Sequence, residues 1–403
     1  MKILFLTHNF PPEVNAPATR TFEHCKRWVE NGDEVTVITS APNFPDGKVY
    51  KGYKNKIRQT EYIDGIKVIR VLTHIAPNKG FGRRTLSFIS YSISSFIAGL
   101  FQNFDIIIAT SPQFFTALGG KVLSFWKRKP WIMEVRDLWP ESIKTVGAMK
   151  DNWIIRYFEK KELKCYKCAT HIVVVTDSFK KNLIERGISG DKISVYKNGV
   201  NSDAFRPAEE KDEELLNKLN LQDKIVVGYV GTHGLAHKLD FILNCASKLQ
   251  TIEPRFHFLF IGSGAAKESL IQLAESLHLT NVTFLDTVPK KEVRRYLSLL
   301  DISLINLKKS DLFKTVIPSK IFENASMGIP ILMGVEGEAK EIIEKYNAGI
   351  CFEPENEEDF INKLLELSKS TDLYRDGGYA LAKDFDRNAI ADLMNQLIHK
   401  SKK

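Results

Sequence analysis

The sequence predicts an α/β protein of two domains, each a parallel β-sheet covered by helices. Three observations point there. The chain has 403 residues, 43% hydrophobic and 26% charged, enough for two cores of ordinary globular composition. Short β-branched or aromatic runs alternate with amphipathic stretches from end to end, the rhythm of parallel sheets. That rhythm breaks near residues 198–208, which reads as a linker, and then restarts.

Lys2 to Thr7 is a compact apolar run and reads as the first strand. It is too short for a leader peptide, lacks a small-residue cleavage site and passes straight into a loop. That loop, His8 to Pro17, is stiffened by prolines. It follows a first parallel strand, and such sheets bind ligands at their carboxyl edge. A helix runs from about Ala18 to Asn31, stops at Gly32, and leads to the strand Val35–Thr39. Residues 41–60 are irregular, with Tyr50, Gly52 and Tyr53 among lysines. Tyr62 to Leu72, turning at Asp64-Gly65, reads as a β-hairpin.

Thr85 to Phe104 carries no charge and follows Arg83 and Arg84. A buried core helix is the plain reading. A membrane span would need a more continuous apolar run. An amphipathic helix on a bilayer surface, anchored by the two arginines, is the third. Asp105–Thr110 is a strand, and Ser111 caps the helix after it. Trp126-Lys-Arg-Lys-Pro-Trp131 is a basic turn, either solvated or in contact with phosphate headgroups. Trp131–Val135 is a strand with Arg136-Asp137-Leu-Trp-Pro-Glu141 just past its end. This charged cluster, fixed by Trp139 and Pro140, is a site candidate; a structural Arg–Asp pair is the alternative. Asn152–Ala169 is an amphipathic helix, His171–Val175 a strand, Thr176–Ser178 the opening of a helix, and Lys192–Tyr196 the last strand of this half.

The second half repeats the pattern. Strands are expected at Lys224–Val230, Phe256–Ile261, Val282–Leu285 and Ile302–Leu307. Gly231-Thr-His-Gly234 and Gly262-Ser-Gly264 follow the first two, and glycine loops there suit phosphate and nucleoside binding. Pro289 opens one helix. Pro318 opens another, which holds Glu323 among apolar neighbours and stops at Gly328, before a strand Ile329–Leu332. A carboxylate behind an anion-binding helix start suits a nucleotide sugar. Asp386–Lys403 is an amphipathic helix that can cross back to the first domain.

The net charge is +8 with pI about 9.0. Nucleic acid, anionic membrane and phosphorylated ligands are the usual partners of such a balance. With no zinc-finger, RRM or KH pattern, nucleic acid is excluded first. Five irregularly placed cysteines argue for a reducing compartment without disulfides. Cys165 and Cys168 form one CxxC with no second pair, so two helix thiols are expected rather than a metal site.

FLTHNFPPEVNAPATR, VRDLWPES, KNGVNSDAFRP, YVGTHG, FIGSG and above all PSKIFENASMGIPIL stand in the order of a known family. Over nearly its whole length the chain resembles glycosyltransferase family 4, retaining enzymes of the GT-B fold. Within it, the chain looks like bacterial O-antigen and capsule transferases, including N-acetyl-L-fucosaminyl transferases. The resemblance implies two Rossmann-like domains with the active site in the cleft between them. Residues 1–200, with a C-terminal helix 386–403, would bind the acceptor, and 201–385 the nucleotide sugar.

By the same resemblance Glu323 holds the ribose hydroxyls, Gly262 and Gly264 lie near the base, and Asn15 and Ala16 near the donor diphosphate. The leaving diphosphate needs N–H groups and cations; Gly231, Gly234, Arg20, Lys314 and Lys320 are the candidates. The pattern departs from the family in several places. Thr315 stands where a second glutamate is usual, eight residues before Glu323. Thr232 and His237 stand where an arginine and a lysine usually clamp the diphosphate, so Lys238, Lys314 or Lys320 must supply the charge. Arg136 stands where many members have histidine, which leaves Asp137 or Glu141 as the acceptor base.

The expected activity is metal-independent, cofactor-free, retaining transfer of a sugar such as N-acetyl-L-fucosamine from a UDP-sugar. The expected acceptor is a polyprenyl-diphosphate-linked saccharide of O-antigen or capsule biosynthesis. The expected location is the cytoplasm, with peripheral attachment to the inner face of the membrane as a further option. Such an acceptor would suit Arg83, Arg84, Lys127, Arg128 and Lys129; solubility is the bland alternative. A phosphorylase or epimerase of the same fold fits less well. A non-catalytic binding or scaffold protein is kept open by the residues missing at Thr315 and Thr232.

Overall fold

The computed structural model describes all residues except 77–80, 112–113, 141–152, 209, 291 and 403, and the side chains of 81 and 154. The chain forms two compact units, Met1–Lys197 with Arg387–Lys403, and Asn198–Asp386.

The strands of the first unit are β1 (Lys2–Leu6), β2 (Glu34–Ser40), β3 (Arg58–Ile63), β4 (Ile66–Val71), β5 (Ile106–Thr110), β6 (Trp131–Val135), β7 (His171–Val174) and β8 (Ile193–Val195). They make one sheet in the order β3-β4-β2-β1-β5-β6-β7-β8. Every pair is parallel except the β3–β4 hairpin. Asp64 and Gly65 both take positive φ, 47° and 79°, the turn that matches strand twist. β5 and β6 are buried at every residue, because helices cover both faces of a parallel sheet.

Helix α1 spans Ala16–Glu30, two residues earlier than the sequence suggests, because Asn15 caps it. The Asn15 Oδ1 accepts from the Ala18 N–H at 2.9 Å, satisfying one unpaired helix donor. Helices α2 (Phe81–Leu100) and α3 (Phe114–Lys127) follow β4 and β5. Among the described residues no helix is long and apolar enough to cross a membrane. The C-terminal helix Arg387–Lys400 packs on α1. Trp28 Nε1 donates to the Ala391 carbonyl at 2.9 Å, and Arg27 pairs with Asp392 at 2.8 Å.

The second unit holds β9 (Ile225–Val230), β10 (Phe256–Ile261), β11 (Val282–Leu285), β12 (Ile302–Asn306), β13 (Ile331–Gly334) and β14 (Gly349–Cys351), in the order β11-β10-β9-β12-β13-β14. All pairs are parallel. β13 begins two residues later than the apolar run suggests. Pro330, which has no N–H to give a ladder, stands just before it and accepts from Ser303 N–H at 2.9 Å. The helix expected from Pro318 is Lys320–Ser326. Pro318 and Ser319 form a tight turn ahead of it, their carbonyls accepting from Ile321 and Phe322 at 3.2 Å. Gly328 ends it at φ 68°. Cys165 is buried and Cys168 exposed, both as free thiols.

Candidate active site

At the carboxyl edge of the second sheet, the two glycine loops are laced backbone to backbone. Gly231 N–H donates to Ile261 O at 2.8 Å, and His233 N–H to Ser263 O at 2.9 Å. A Cβ on Gly262 would lie 1.9 Å from the Gly231 carbonyl oxygen, and both glycines hold φ near 145°, at 142° and 145°. Only glycine takes that backbone at that separation. Gly264 closes on His233 in the same way, 2.3 Å from its carbonyl oxygen. Gly234 precedes the short turn Leu235–His237. Lys267, which the sequence did not single out, braces the loops. Its Nζ reaches Gly262 O at 3.0 Å, Leu285 O at 2.9 Å and Asp286 at 2.6 Å.

Lys320, the first residue of its helix, lies across this loop. Its Nζ sits 3.5 Å from the centre of the Tyr229 ring. Its Cε is 2.5 Å from where a Gly231 Cβ would be, so the glycine makes room for the lysine. Burial pushes its pKa down to about 7, against the pull of Glu323 one turn further on. Glu323 is itself partly buried. Lys320 and Glu323 thus share a helix that faces the glycine loops. His237 lies next to Tyr229, and burial, aided by Lys320, pushes it to about 4. His233 is fully buried with neither ring nitrogen partnered. Burial, then Lys267 and Lys320, push it to about 4 as well. Both imidazoles are neutral at pH 7, and Lys267 is engaged by Asp286 and two carbonyls, which leaves Lys320 as the titrating lysine beside the Gly231 loop.

The other proposed cations are engaged elsewhere. Lys314 is exposed and pairs with Asp311 at 2.8 Å and Glu336 at 3.7 Å. Lys238 pairs with Asp240 at 2.5 Å. Thr315 donates to Leu312 O at 2.8 Å within its own turn.

At the carboxyl edge of the first sheet, Arg20 is held within the fold. It is 3% exposed and bonded to Glu134 and the carbonyls of Tyr196 and Lys197, each at 3.0 Å. It ties α1 to β6 and to the end of β8. Asn15 is used as the cap of α1 and leaves its Nδ2 without a partner. Burial works to raise the Glu134 carboxyl, but the Arg20 and Arg136 charges overcome it and hold it low. Arg387 pairs with Glu23 nearby. Arg136 differs from these. Its backbone N–H donates to Ser111 Oγ at 2.8 Å, while its Nε and Nη1 are buried without partners. Burial lowers its pKa to about 10. The sequence placed Arg136 in the charged cluster past β6 but gave it no role of its own, taking Asp137 or Glu141 as the acting residue. Asp137 is partly buried beside it. Glu141 lies outside the described residues.

Residues 18–204 match Glycosyltransferase Family 4, and residues 211–392 match Glycosyl transferases group 1. An Escherichia coli K12 protein, WcaI, named for a glycosyl transferase step of colanic acid biosynthesis, is 24% identical over 98% of this chain and 100% of its own. WbjE of Pseudomonas aeruginosa, named as a glycosyltransferase, is 24% identical over 68% of this chain and 66% of its own. Among solved structures, sucrose-phosphate synthase of Thermosynechococcus elongatus superposes with TM-score 0.77 at 15% identity, covering 99% of this chain and 98% of that one. Anabaena HepE, solved with UDP and glucose, gives TM-score 0.71 at 16% identity, covering 99% of each chain. At those identities the structures establish the fold.

Proposed function

From the premise that this chain is a glycosyltransferase of the GT-B fold, with a family 4 domain followed by a group 1 domain, we propose that it is a retaining UDP-sugar transferase. The carrying observation is Lys320 seated over the Gly231 loop with Glu323 on the same helix. Glu323 takes the ribose hydroxyls. Lys320 and the N–H groups of the Gly231–Gly234 and Gly262–Gly264 loops take the diphosphate. That a structural neighbour is solved with UDP and glucose supports UDP as the nucleotide.

In the reaction the bond from the sugar C1 to the diphosphate oxygen breaks, and a bond from C1 to the acceptor oxygen forms on the same face. The acceptor proton passes to the leaving diphosphate or to a carboxylate, Asp137 or Glu141. Lys320 meets charge that develops on the leaving group, where a fixed cation is most effective. Arg136 offers two buried, unpartnered N–H donors to an anionic oxygen of the substrates. No step calls for a metal ion.

The sugar is an N-acetylated aminosugar such as N-acetyl-L-fucosamine. The acceptor is a polyprenyl-diphosphate-linked saccharide of O-antigen or capsule synthesis, met at the inner face of the cytoplasmic membrane. The colanic acid biosynthesis named for WcaI lends this polysaccharide setting its support. The test incubates the protein with UDP-sugars and lipid-linked acceptors, and measures UDP release and glycosylated lipid together. Both are expected, and both should vanish in Lys320→Ala. Tight UDP binding with no transfer from any donor would make this a binding protein instead.

A further inference from the structure

We propose that the connection from β2 to β3 is a subsite for the acceptor saccharide, and that this saccharide carries acidic groups on its own sugar rings. The proposal rests on the transferase reading above and adds to it the charge class of the acceptor.

The connection runs over residues 41–57 without a helix or strand. Loops beyond about 12–15 residues with no regular structure are mostly functional or loose. This one is fastened every few residues. Glu13 Oε1 accepts the N–H groups of Asn43 and Phe44 at 2.8 and 2.9 Å. Buried Arg70 donates to Ser40 O at 3.0 Å and to Pro11 O at 2.5 Å. The Tyr50 hydroxyl donates to Phe44 O at 2.6 Å. Tyr53 N–H donates to Tyr50 O at 3.0 Å, closing a turn in which Gly52 takes φ 91°. Asn55 Nδ2 donates to Thr73 O at 2.7 Å, and its Oδ1 accepts the Thr73 N–H at 3.1 Å. Glu13 and Pro11 belong to the loop after β1. Both loops therefore share the carboxyl edge of the first sheet, the edge at which parallel sheets take ligands.

The anchors alternate with cations. Tyr50, Tyr53 and Asn55 are partly buried, whereas Lys48, Lys51, Lys54, Lys56 and Arg58 are all exposed. Asp46 is the one acid from Ala41 to Thr60. Glu61 and Asp64, next along the chain, are held by Arg70 at 2.5 Å and by Lys26 at 2.9 Å. Among the described residues none of the five cations pairs with a carboxylate. Like charges fixed on an ordered loop repel one another, and an anionic partner relieves that repulsion.

The arrangement selects among anions. A bilayer surface is met by inserted apolar and aromatic groups. Here the tyrosines turn inward, one hydroxyl on Phe44 and the Tyr53 ring 4.8 Å from the Arg70 guanidinium. Ile57, 82% exposed, is the one large apolar side chain this connection shows to solvent. A lone phosphate is held by donors that converge on it. In this loop the anchors stand between the cations and space them along the chain. Four of the five are lysines, point charges on flexible stems, which can reach carboxylates or phosphates set at intervals along a saccharide.

The test titrates tetragalacturonate, and separately the neutral maltotetraose, into the full chain by calorimetry. Tetragalacturonate should bind, more weakly as salt rises, and maltotetraose should not. Lys51→Ala with Lys54→Ala should weaken tetragalacturonate by about five- to tenfold. Lys160→Ala with Lys164→Ala removes the same charge from exposed positions on the helix Trp153–Cys168 and should leave binding unchanged. Equal loss in both pairs would overturn the proposal, as would a wild type that does not prefer the acidic oligosaccharide. Inorganic diphosphate and phosphatidylglycerol vesicles are run alongside. If the Lys51/Lys54 pair weakens either of these while tetragalacturonate fails to bind, the cations serve a lone phosphate group or a bilayer, and the proposal falls. UDP affinity should be the same in every variant, which shows that they fold. Absent UDP binding in the wild type would instead remove the transferase reading, whatever the saccharide does.

Discussion

At the carboxyl edge of the first sheet, Arg20 and Arg387 are buried and paired with Glu134 and Glu23. At the same edge of the second sheet, Lys320 lies on an aromatic ring beside a glycine loop, its pKa lowered to about 7. Both regions look alike in composition. They differ in what completes each cation. A buried guanidinium on a carboxylate is complete within the fold and positions the elements around it. An ammonium held by an aromatic ring and by Glu323 along its own helix is stabilised further by an incoming anion. Arg136 falls on the second side of this divide although it sits two residues from Glu134.

The largest expected effect tests the first region. Glu134→Ala leaves Arg20 and Arg136 buried against each other, and should cost about 3–5 kcal/mol of stability, read by urea unfolding. UDP affinity of the folded protein should be unaffected. If Glu134→Ala is instead neutral for stability and lowers UDP affinity, the two regions have been assigned the wrong way round. Arg136→Ala should do the opposite of Glu134→Ala. It should lower kcat/KM for transfer by about 100-fold or more, with the unfolding midpoint little changed.

How far these roles could be read from sequence follows from the same contrast. The strands were legible because apolar β-branched runs can only be buried. The Asn15 cap hid inside a proline-rich loop. β14, Gly-Ile-Cys, is too short to stand out and exists because β13 offers an edge. Arg20 and Glu134 are 114 positions apart, so nothing local told that this arginine was already paired. Lys314 and Lys320 were equal candidates in the motif. Only the fold showed that one meets Asp311 and Glu336 while the other lies over Tyr229.

Lys320→Ala should weaken UDP by about 10- to 100-fold, the size of one charge-assisted hydrogen bond, without loss of stability. The pH dependence is smaller. With its pKa at about 7, Lys320 is mostly neutral above that pH, and a bound diphosphate raises the value. Binding therefore takes up a proton above about pH 7. Affinity for a UDP-sugar should fall as pH rises from about 7 towards 9, by at most about tenfold per unit, and be level with respect to this group below that range. Calorimetry in buffers of different ionisation enthalpy measures the proton directly, and Lys320→Met should abolish it. Last, Lys314→Ala removes exposed ion pairs only, so UDP affinity should change by less than about twofold.

The most direct measurement compares UDP with its 2′,3′-dideoxy analogue on the wild-type protein and on Glu323→Ala. The wild type should prefer UDP by about tenfold or more, and Glu323→Ala should bind the two nearly alike, with UDP weakened to the level of the analogue. An unchanged UDP affinity and an undiminished preference in Glu323→Ala would contradict the assignment of the Lys320–Ser326 helix as the seat of the donor nucleotide.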